Sequence, residues 1–109
     1  MGRDIIRPVD LNDAPVLEHA LLPVASDRAA AFEAAFTQAR PLIESSPGCR
    51  GVSLTRCVDR PDTYLLLVGW DTVESHTEGF RGSPAFEEWR ALLHHFYEPT
   101  PVVEHFTPV

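Results

Sequence analysis

The sequence predicts an α+β domain in which one antiparallel sheet of four strands carries two helices on a single face. The chain has 109 residues, enough for one hydrophobic core but not for two independently stable ones. Apolar residues recur at intervals of three and four in two long segments, which is the spacing of a half-buried helix. Four shorter segments alternate or run continuously apolar, as strands do. Their order along the chain is strand, helix, strand, strand, helix, strand.

The N-terminal part of the chain supplies the first strand and the first helix. Residues 1–15 combine charges and two prolines without periodicity, which predicts an irregular N-terminal arm, while residues 16–24 form an apolar segment that predicts a strand. Ser26 and Asp27 are suited to cap the following helix. Pro41 lies inside the helical pattern and is expected to bend or loosen its last turn. One face of this helix carries the apolar residues Phe32, Phe36, Ala39 and Ile43.

A predicted hairpin follows the turn at residues 46–48. Residues 51–58 alternate apolar and polar side chains, and residues 59–62 form a four-residue loop before the strand at residues 64–70. This third strand is apolar on both of its faces. Because helices on one side of a sheet cover only one face, the second face needs another cover. The simplest cover is a second copy of the chain, so we expect a homodimer.

The C-terminal part supplies the second helix and the last strand. Asp71 and Glu74 have the spacing of a capping box for a short helix, and Ser83 followed by Pro84 begins a longer one. Residues 102–106 predict the final strand. The complete order is the split βαβ pattern of ferredoxin-like folds. The apolar stripe of the longer helix consists of Phe86, Trp89, Leu92, Leu93 and Phe96.

Composition excludes several classes of partner. The chain carries nine arginines, no lysine and sixteen acidic residues, for a formal charge of −7. Such a surface repels phosphate groups, so we expect neither nucleic acid nor anionic membrane as a partner. There is no apolar run of about 20 residues and no signal peptide, which predicts a cytoplasmic protein. Cys49 and Cys57 flank one strand too far apart for a disulfide and are expected as free thiols.

Residues 16–109 resemble a known family through several short segments in order. These segments are SPGCRG at 46–51, WDTVESH at 70–76 and FRGSPAF at 80–86, followed by LLHHFY at 92–97 and PVVEH at 101–105. In this order and spacing the chain resembles the antibiotic biosynthesis monooxygenase family of the dimeric α/β-barrel group. The resemblance implies a homodimer with sheets packed back to back and a pocket between sheet and helices in each subunit.

Characterised members of that family oxygenate aromatic polyketides or quinols without metal or flavin, and the resemblance implies the same absence of cofactors here. The residues agree, since no spacing of histidines and cysteines matches a zinc, haem or iron site and no glycine-rich phosphate loop occurs. We therefore expect an enzyme that acts on a small aromatic, phenolic or quinone-like molecule. A non-catalytic dimeric module that binds a small ligand or serves assembly is the alternative. A pocket filled by the chain's own side chains would indicate that module.

Oxygenation without a cofactor needs a base that makes an electron-rich phenolate or enolate. Histidine is the usual base near neutral pH, and His76 and His19 are the two candidates for the catalytic role. His76 lies within one of the resembling segments, and its competing interpretation is a helical histidine facing solvent. His19 shares a strand face with Leu17 and Leu21, so we expect it to be buried against either the helices or a partner sheet, and a buried structural histidine is its competing interpretation.

Five residues are candidates for substrate binding. Aromatic side chains would shape a dry pocket, Arg81 would bind an acidic group of the substrate, and His95 lies close to the last strand. Each also has a structural interpretation, as a packing aromatic or a surface ion pair. The candidates are Trp70, Tyr64, Phe80, Arg81 and His95.

Overall fold

The computed structural model describes residues 11–109, and the predicted order of strands and helices is confirmed. The prediction for the arm lies outside the described residues over positions 1–10, whereas Leu11–Asp13 form a 3₁₀ turn. Two further 3₁₀ turns span Ser26–Arg28 and His94–Phe96, and a π-helical turn spans Ser75–Phe80. The strands and long helices are β1 Val16–Pro23, α1 Ala29–Glu44, β2 Cys49–Arg56, β3 Thr63–Trp70, α2 Pro84–Leu93 and β4 Val102–Phe106.

The four strands form one antiparallel sheet in the order β2-β3-β1-β4. β1 is central and pairs with β3 from Val16 opposite Trp70 to Pro23 opposite Thr63. Because side chains alternate along a strand, Glu18, with Ala20 and Leu22, faces the helices, and these three side chains are buried. We call this the inner face of the sheet. The ferredoxin-like arrangement, with helices on one face, is therefore confirmed.

The core between the inner face and the helices is rich in aromatic rings. Phe32 of α1 packs against Tyr64 and Phe96 at centroid distances of 4.9 and 5.6 Å. Phe36 meets Trp89 of α2 edge to face. These contacts join α1, α2 and the sheet into one core, and they confirm the apolar stripes predicted for both helices.

Two predicted boundaries were wrong near β2. The strand spans Cys49–Arg56 instead of residues 51–58, so its loop to β3 has six residues, 57–62, in place of four. An irregularity lies between Cys49 and Gly51, where Cys49 pairs with Trp70 and Gly51 pairs with Gly69. The extra residue lets the strand begin early, which simple alternation does not reveal. Both cysteines are free, as expected.

The predicted helix caps were correct only for α2. The Ser83 hydroxyl accepts a hydrogen bond from the Phe86 N–H at 3.3 Å. Ser26 and Asp27 instead lie in a 3₁₀ turn, and α1 begins at Ala29 without a side-chain cap. In the segment after β3 the capping oxygen belongs to Thr72, which accepts from the Ser75 N–H at 3.0 Å.

Two other expectations concerned Asp71 and Pro41. Asp71 does not cap a helix, because its carboxylate pairs with Arg50 of β2 at 2.5 Å. Pro41 lies in the last turn of α1, which continues to Glu44. The Ser45 hydroxyl donates to the Pro41 carbonyl at 2.8 Å and satisfies an acceptor of the last turn.

The outer face of the sheet, opposite the helices, carries apolar side chains that reach solvent. Leu21 is 38% exposed, Phe106 49% and Val102 64%. Leu11 and Ala14 cover one end of this face at Gly69, where an added Cβ would lie 2.9 Å from the Ala14 Cβ. Leu21, Val102 and Phe106 nevertheless remain exposed to solvent.

Gly48→Ala tests the turn that joins α1 to the sheet. Gly48 has a φ of 87°, and a Cβ there would lie 2.5 Å from the Ser75 Oγ. We expect the substitution to lower the free energy of unfolding by about 1–3 kcal/mol in urea denaturation followed by circular dichroism. Gly79→Ala is the control, because its Cβ would meet only the Glu74 carbonyl at 3.7 Å. Equal stability of the two variants would contradict this account of the turn.

Candidate active site

A cavity of about 390 Å³ lies between the inner face of the sheet and the segment from the π-helical turn to β4. This volume is near the lower end of the range for small-molecule sites in proteins. Its wall combines apolar and aromatic side chains with a few ionisable ones. The ionisable lining residues are Glu18, His76, Arg81, His94 and Tyr97, and the aromatic ones are Phe80, Phe86 and Trp89.

Glu18 of β1 is the buried carboxylate of this cavity, with 4% of its surface exposed. Its neighbour across the strands is Val68, which places Trp70 diagonally opposite on the same face. The Trp70 Nε1–H donates to the Glu18 Oε1 at 2.9 Å. Burial raises the pKa of Glu18, although the Trp70 hydrogen bond and the Arg81 charge oppose the rise. Glu18 is therefore a stronger base than an exposed carboxylate.

His76 lies beside Glu18 and is equally buried, with 4% exposed. Its ring stacks on Trp70 at a centroid distance of 5.3 Å and an interplanar angle of 14°. Its Nε2 is 3.4 Å from the Glu18 Oε1, and its Nδ1 is 2.9 Å from the Nε2 of His105. Burial, followed by the charges of Arg81 and His105, lowers the pKa of His76 to about 3. The imidazole is consequently neutral at pH 7.

The π-helical turn explains how His76 reaches the cavity. The Arg81 N–H donates to the His76 carbonyl at 3.0 Å, the five-residue bond that defines a π turn. Both His76 and Phe80 point inward from this turn and are buried. The preceding residue, Ser75, is held by Thr72. This local geometry fixes a histidine and an aromatic ring on the same side of the cavity.

The opposite wall comes from α2 and the chain that follows it. Trp89 packs edge to face against Phe80 at 5.6 Å. His94 and Tyr97 have ring centroids 5.6 Å apart, and burial is the main cause that lowers the pKa of His94 and raises that of Tyr97. Both rings are therefore neutral at pH 7. Arg81 lines the cavity with an exposed side chain and supplies a positive charge at its rim.

The structure brings four of the seven predicted site residues together. His76, Phe80 and Arg81 line the cavity. Trp70 does not line it but touches two lining groups, because it donates to Glu18 and stacks on His76. The competing interpretation of His76 as a helical histidine facing solvent is wrong, because the side chain is buried.

The other three predicted site residues lie elsewhere. His19 is on the outer face, with its ring 5.6 Å from that of Phe106. Tyr64 is buried in the core and donates to the Glu33 carboxylate at 2.5 Å, and burial raises its pKa to about 12. The His95 side chain is exposed outside the cavity.

The site candidates chosen from the sequence did not include Glu18, His94, Tyr97 and His105. For Glu18 one signal was available, since it alternates with Ala20 and Leu22 in a strand and so shares their face. His94 is the exposed C-cap residue of α2, and its side chain also lines the cavity. The contact between His76 and His105 joins residues 29 positions apart and has no local sequence signal.

The sequence profile of the family described as antibiotic biosynthesis monooxygenase matches residues 15–92. The chain belongs to this family. The predicted membership is thereby confirmed, and the match spans β1 to nearly the end of α2.

Three known proteins are similar to this chain. The uncharacterized protein YczJ of Bacillus subtilis is 50% identical over 94 residues, which cover 86% of this chain and 99% of YczJ. A Bordetella bronchiseptica protein assigned to the antibiotic biosynthesis monooxygenases is 40% identical with a TM-score of 0.83, covering 89% of this chain and 99% of its own.

The third is the Streptomyces coelicolor monooxygenase from the gene ActVA-Orf6, solved with the ligand nanaomycin D. It has a TM-score of 0.77 and 18% identity, and the match covers 92% of this chain and 94% of the other. At this identity the likeness concerns the fold alone. Within residues 11–109 the structure contains neither a helix able to cross a membrane nor a group of three or more side chains placed to hold a metal ion.

The protonation of His76 can be followed by nuclear magnetic resonance of its ring nitrogens during acid titration. In the unfolded chain the imidazole has its ordinary pKa of about 6.5, whereas in the folded chain its pKa is about 3. Between these pH values the unfolded state binds the extra proton, so acidification destabilises the fold through His76. We expect a neutral His76 at pH 5 in the folded protein and a protonated one in urea. A folded-state midpoint near 6.5 would show that burial does not control this ring.

Proposed function

We propose that this protein is a cofactor-independent monooxygenase of a small phenolic or quinol-like aromatic compound, with the carboxylate of Glu18 as the proton acceptor and His76 as its partner. The single observation that carries the proposal is a buried carboxylate beside a neutral imidazole in an aromatic cavity. Family membership supports the reaction class, and the ActVA-Orf6 relative supports the binding of a small molecule in this fold. Fold alone would not suffice, since one fold hosts many functions.

The cavity wall favours a planar aromatic substrate. Phe80, Phe86 and Trp89 offer ring faces and edges, which stack on or abut a flat ligand. Arg81 at the rim would stabilise the negative charge that forms on a phenolic oxygen when the substrate loses a proton. Tyr97, neutral at pH 7, would donate a hydrogen bond to an oxygen on the other side. A substrate with oxygen atoms at opposite edges of a planar ring system fits this wall.

The reaction can be written with balanced atoms for a phenol whose ring system contains an activated CH₂ group. Glu18 takes a proton from that carbon, and the resulting carbanion, delocalised over the phenolic ring, transfers an electron to dioxygen. The two radicals combine into a peroxide, which is protonated by Glu18. Loss of the second C–H proton breaks the O–O bond, leaving a ketone and water. Dioxygen is reduced by four electrons and the CH₂ carbon is oxidised by four.

Glu18 is better suited to accept the proton than His76. A low pKa makes the His76 ring a weak base, while burial strengthens the Glu18 carboxylate. His76 then holds Glu18 in place and, as a neutral donor through Nε2, stabilises the ionised carboxylate. The histidine predicted as the base thus keeps a role in the pair, and His19 on the outer face has none.

The non-catalytic module is the weaker candidate. Its expected sign was a pocket filled by the chain's own side chains with no histidine reaching it. Instead there is an open cavity of about 390 Å³, and His76 is part of its wall. We therefore assign the enzymatic function as the one supported best.

We also propose that the protein acts as a homodimer joined through the outer faces of two sheets. Leu21, Val102 and Phe106 leave apolar area in solvent that a second copy would bury. This arrangement agrees with the one implied by the family resemblance. It leaves the inner-face cavity of each copy open.

Turnover can be tested with a hydroxyanthrone and a naphthol as probes, measuring dioxygen uptake and product mass under isotopically labelled dioxygen. We expect the wild type to incorporate one labelled oxygen atom and Glu18→Gln to lose at least about 100-fold in kcat/KM, the usual scale for a proton-transfer group. His76→Gln should also lose activity. The controls are Glu104→Gln on the outer face and the exposed His95→Gln, both expected near wild-type rates. Unchanged turnover in Glu18→Gln would refute the assigned base.

The dimer can be tested by comparing two arginine substitutions in sedimentation equilibrium at micromolar concentration. Leu21→Arg places a charge in the apolar outer face, whereas Val58→Arg changes a loop residue that is 94% exposed. We expect the wild type and Val58→Arg to be dimers and Leu21→Arg to shift toward monomer, because an unpaired buried charge is costly at an interface. A monomeric wild type would contradict the proposed interface.

A further inference from the structure

We propose that His105 is the outlet of a proton relay that connects Glu18, through the ring of His76, to solvent at the edge of the sheet. The relay deepens the proposed function and rests on it for its role in turnover. Its geometry stands independently, because three side chains from three different elements form one continuous line. Nothing in the sequence or in the lining of the cavity assigns a role to His105.

Strand register places His105 where an outlet is needed. β4 is an edge strand, and His105 is the direct partner of Glu18 across the β1–β4 pair. Direct partners project to the same face, so both side chains are on the inner face. Glu18 is buried, but His105 is half-buried and is not part of the cavity wall. The line of side chains therefore runs away from the cavity toward the sheet edge.

His76 is inserted between the two partners and faces each with a different nitrogen. Its Nε2 lies 3.4 Å from the Glu18 Oε1, slightly long for a hydrogen bond, and its Nδ1 lies 2.9 Å from the His105 Nε2. Within residues 11–109 the His105 ring makes no other hydrogen bond than this one. Its Nδ1 is thus the end of the line, and the residue itself is half-buried.

A proton can cross this line while both rings stay neutral. At the start Glu18 is protonated and both imidazoles carry hydrogen on Nδ1. The Glu18 proton moves to the His76 Nε2, the His76 Nδ1 proton moves to the His105 Nε2, and the His105 Nδ1 proton passes to water. One proton leaves, Glu18 becomes ionised, and the two rings change tautomer. The route needs no imidazolium, which matters because burial disfavours a charged His76.

The relay answers a specific difficulty of a buried base. Burial raises the pKa of Glu18 and so favours its protonated form, whereas only the ionised form accepts a proton. A bound aromatic molecule would separate Glu18 from water on the cavity side. The route through His105 restores the ionised form while the cavity is occupied.

The test measures solvent exchange of the His76 ring N–H proton by nuclear magnetic resonance on the protein without substrate. We expect His105→Gln to slow this exchange at least tenfold, because its amide can hold His76 by a hydrogen bond but cannot pass a proton on. An unchanged Trp70 Nε1–H resonance shows that the Glu18 contact is intact. In His105→Ala, added imidazole should restore fast exchange by occupying the vacated position. Equal exchange in wild type and His105→Gln, or no effect of imidazole, would overturn the relay.

Turnover separates this inference from the proposed function. If the wild type oxygenates the hydroxyanthrone, His105→Gln should lower kcat at least tenfold and make it rise with the concentration of imidazole buffer, at unchanged KM. An active His105→Gln with wild-type kcat and no buffer dependence would refute the relay and leave the oxygenase intact. A wild type that oxygenates none of the probes would refute the proposed function, while the exchange measurement still decides the relay.

Discussion

The burial of the Glu18 carboxylate governs the design of the cavity, because an ionisable group removed from water must be given partners by the protein. Trp70, at the end of β3, donates its Nε1–H to the Glu18 Oε1 at 2.9 Å. His76 supplies a neutral ring from the π-helical turn. Antiparallel pairing of β1 with β3 brings Glu18 and Trp70 together, and the π-helical turn brings His76 to them. A slip of one residue in that pairing would turn Glu18 to the outer face, and its contacts with Trp70 and His76 would be lost.

The same constraint links the outer and inner faces of the sheet. β1 carries Glu18 on the inner face and His19 with Leu21 on the outer one, so a single strand serves both the cavity and the proposed interface. The monooxygenase from the gene ActVA-Orf6 shares the fold, but the ionisable groups in the cavity decide the chemistry. The function proposed here therefore rests on the pair of Glu18 and His76 rather than on the fold.

Much of the fold was predictable from local patterns. The helix periodicity, the Ser83 cap and the doubly apolar β3 each have a local physical cause that the sequence displays. The irregularity at Gly51 and the cap by Thr72 were missed, because they depend on partners across the sheet or in the turn.

The candidate site was predicted less well than the fold. His76 was found through a resembling segment, but the sequence left open whether the His19 face of β1 packs on the helices or on a partner sheet. Leu17 and Leu21 share that face with His19, so its apolar character does not tell the two cases apart. The structure shows that the face with Glu18 is the one the helices cover, and that the opposite face keeps apolar side chains in solvent. Which face meets the helices depends on tertiary packing, which one strand does not encode.

The role of Glu18 can be tested by a crystal structure of the protein with a bound unreactive naphthoquinone, a planar analogue of the proposed substrates. We expect the ligand in the inner-face cavity, stacked against the aromatic wall, with its polar edge within hydrogen-bond distance of the Glu18 and His76 pair. A ligand bound elsewhere, or a cavity whose occupant leaves Glu18 without contact, would contradict the claim that this buried carboxylate is the reactive group.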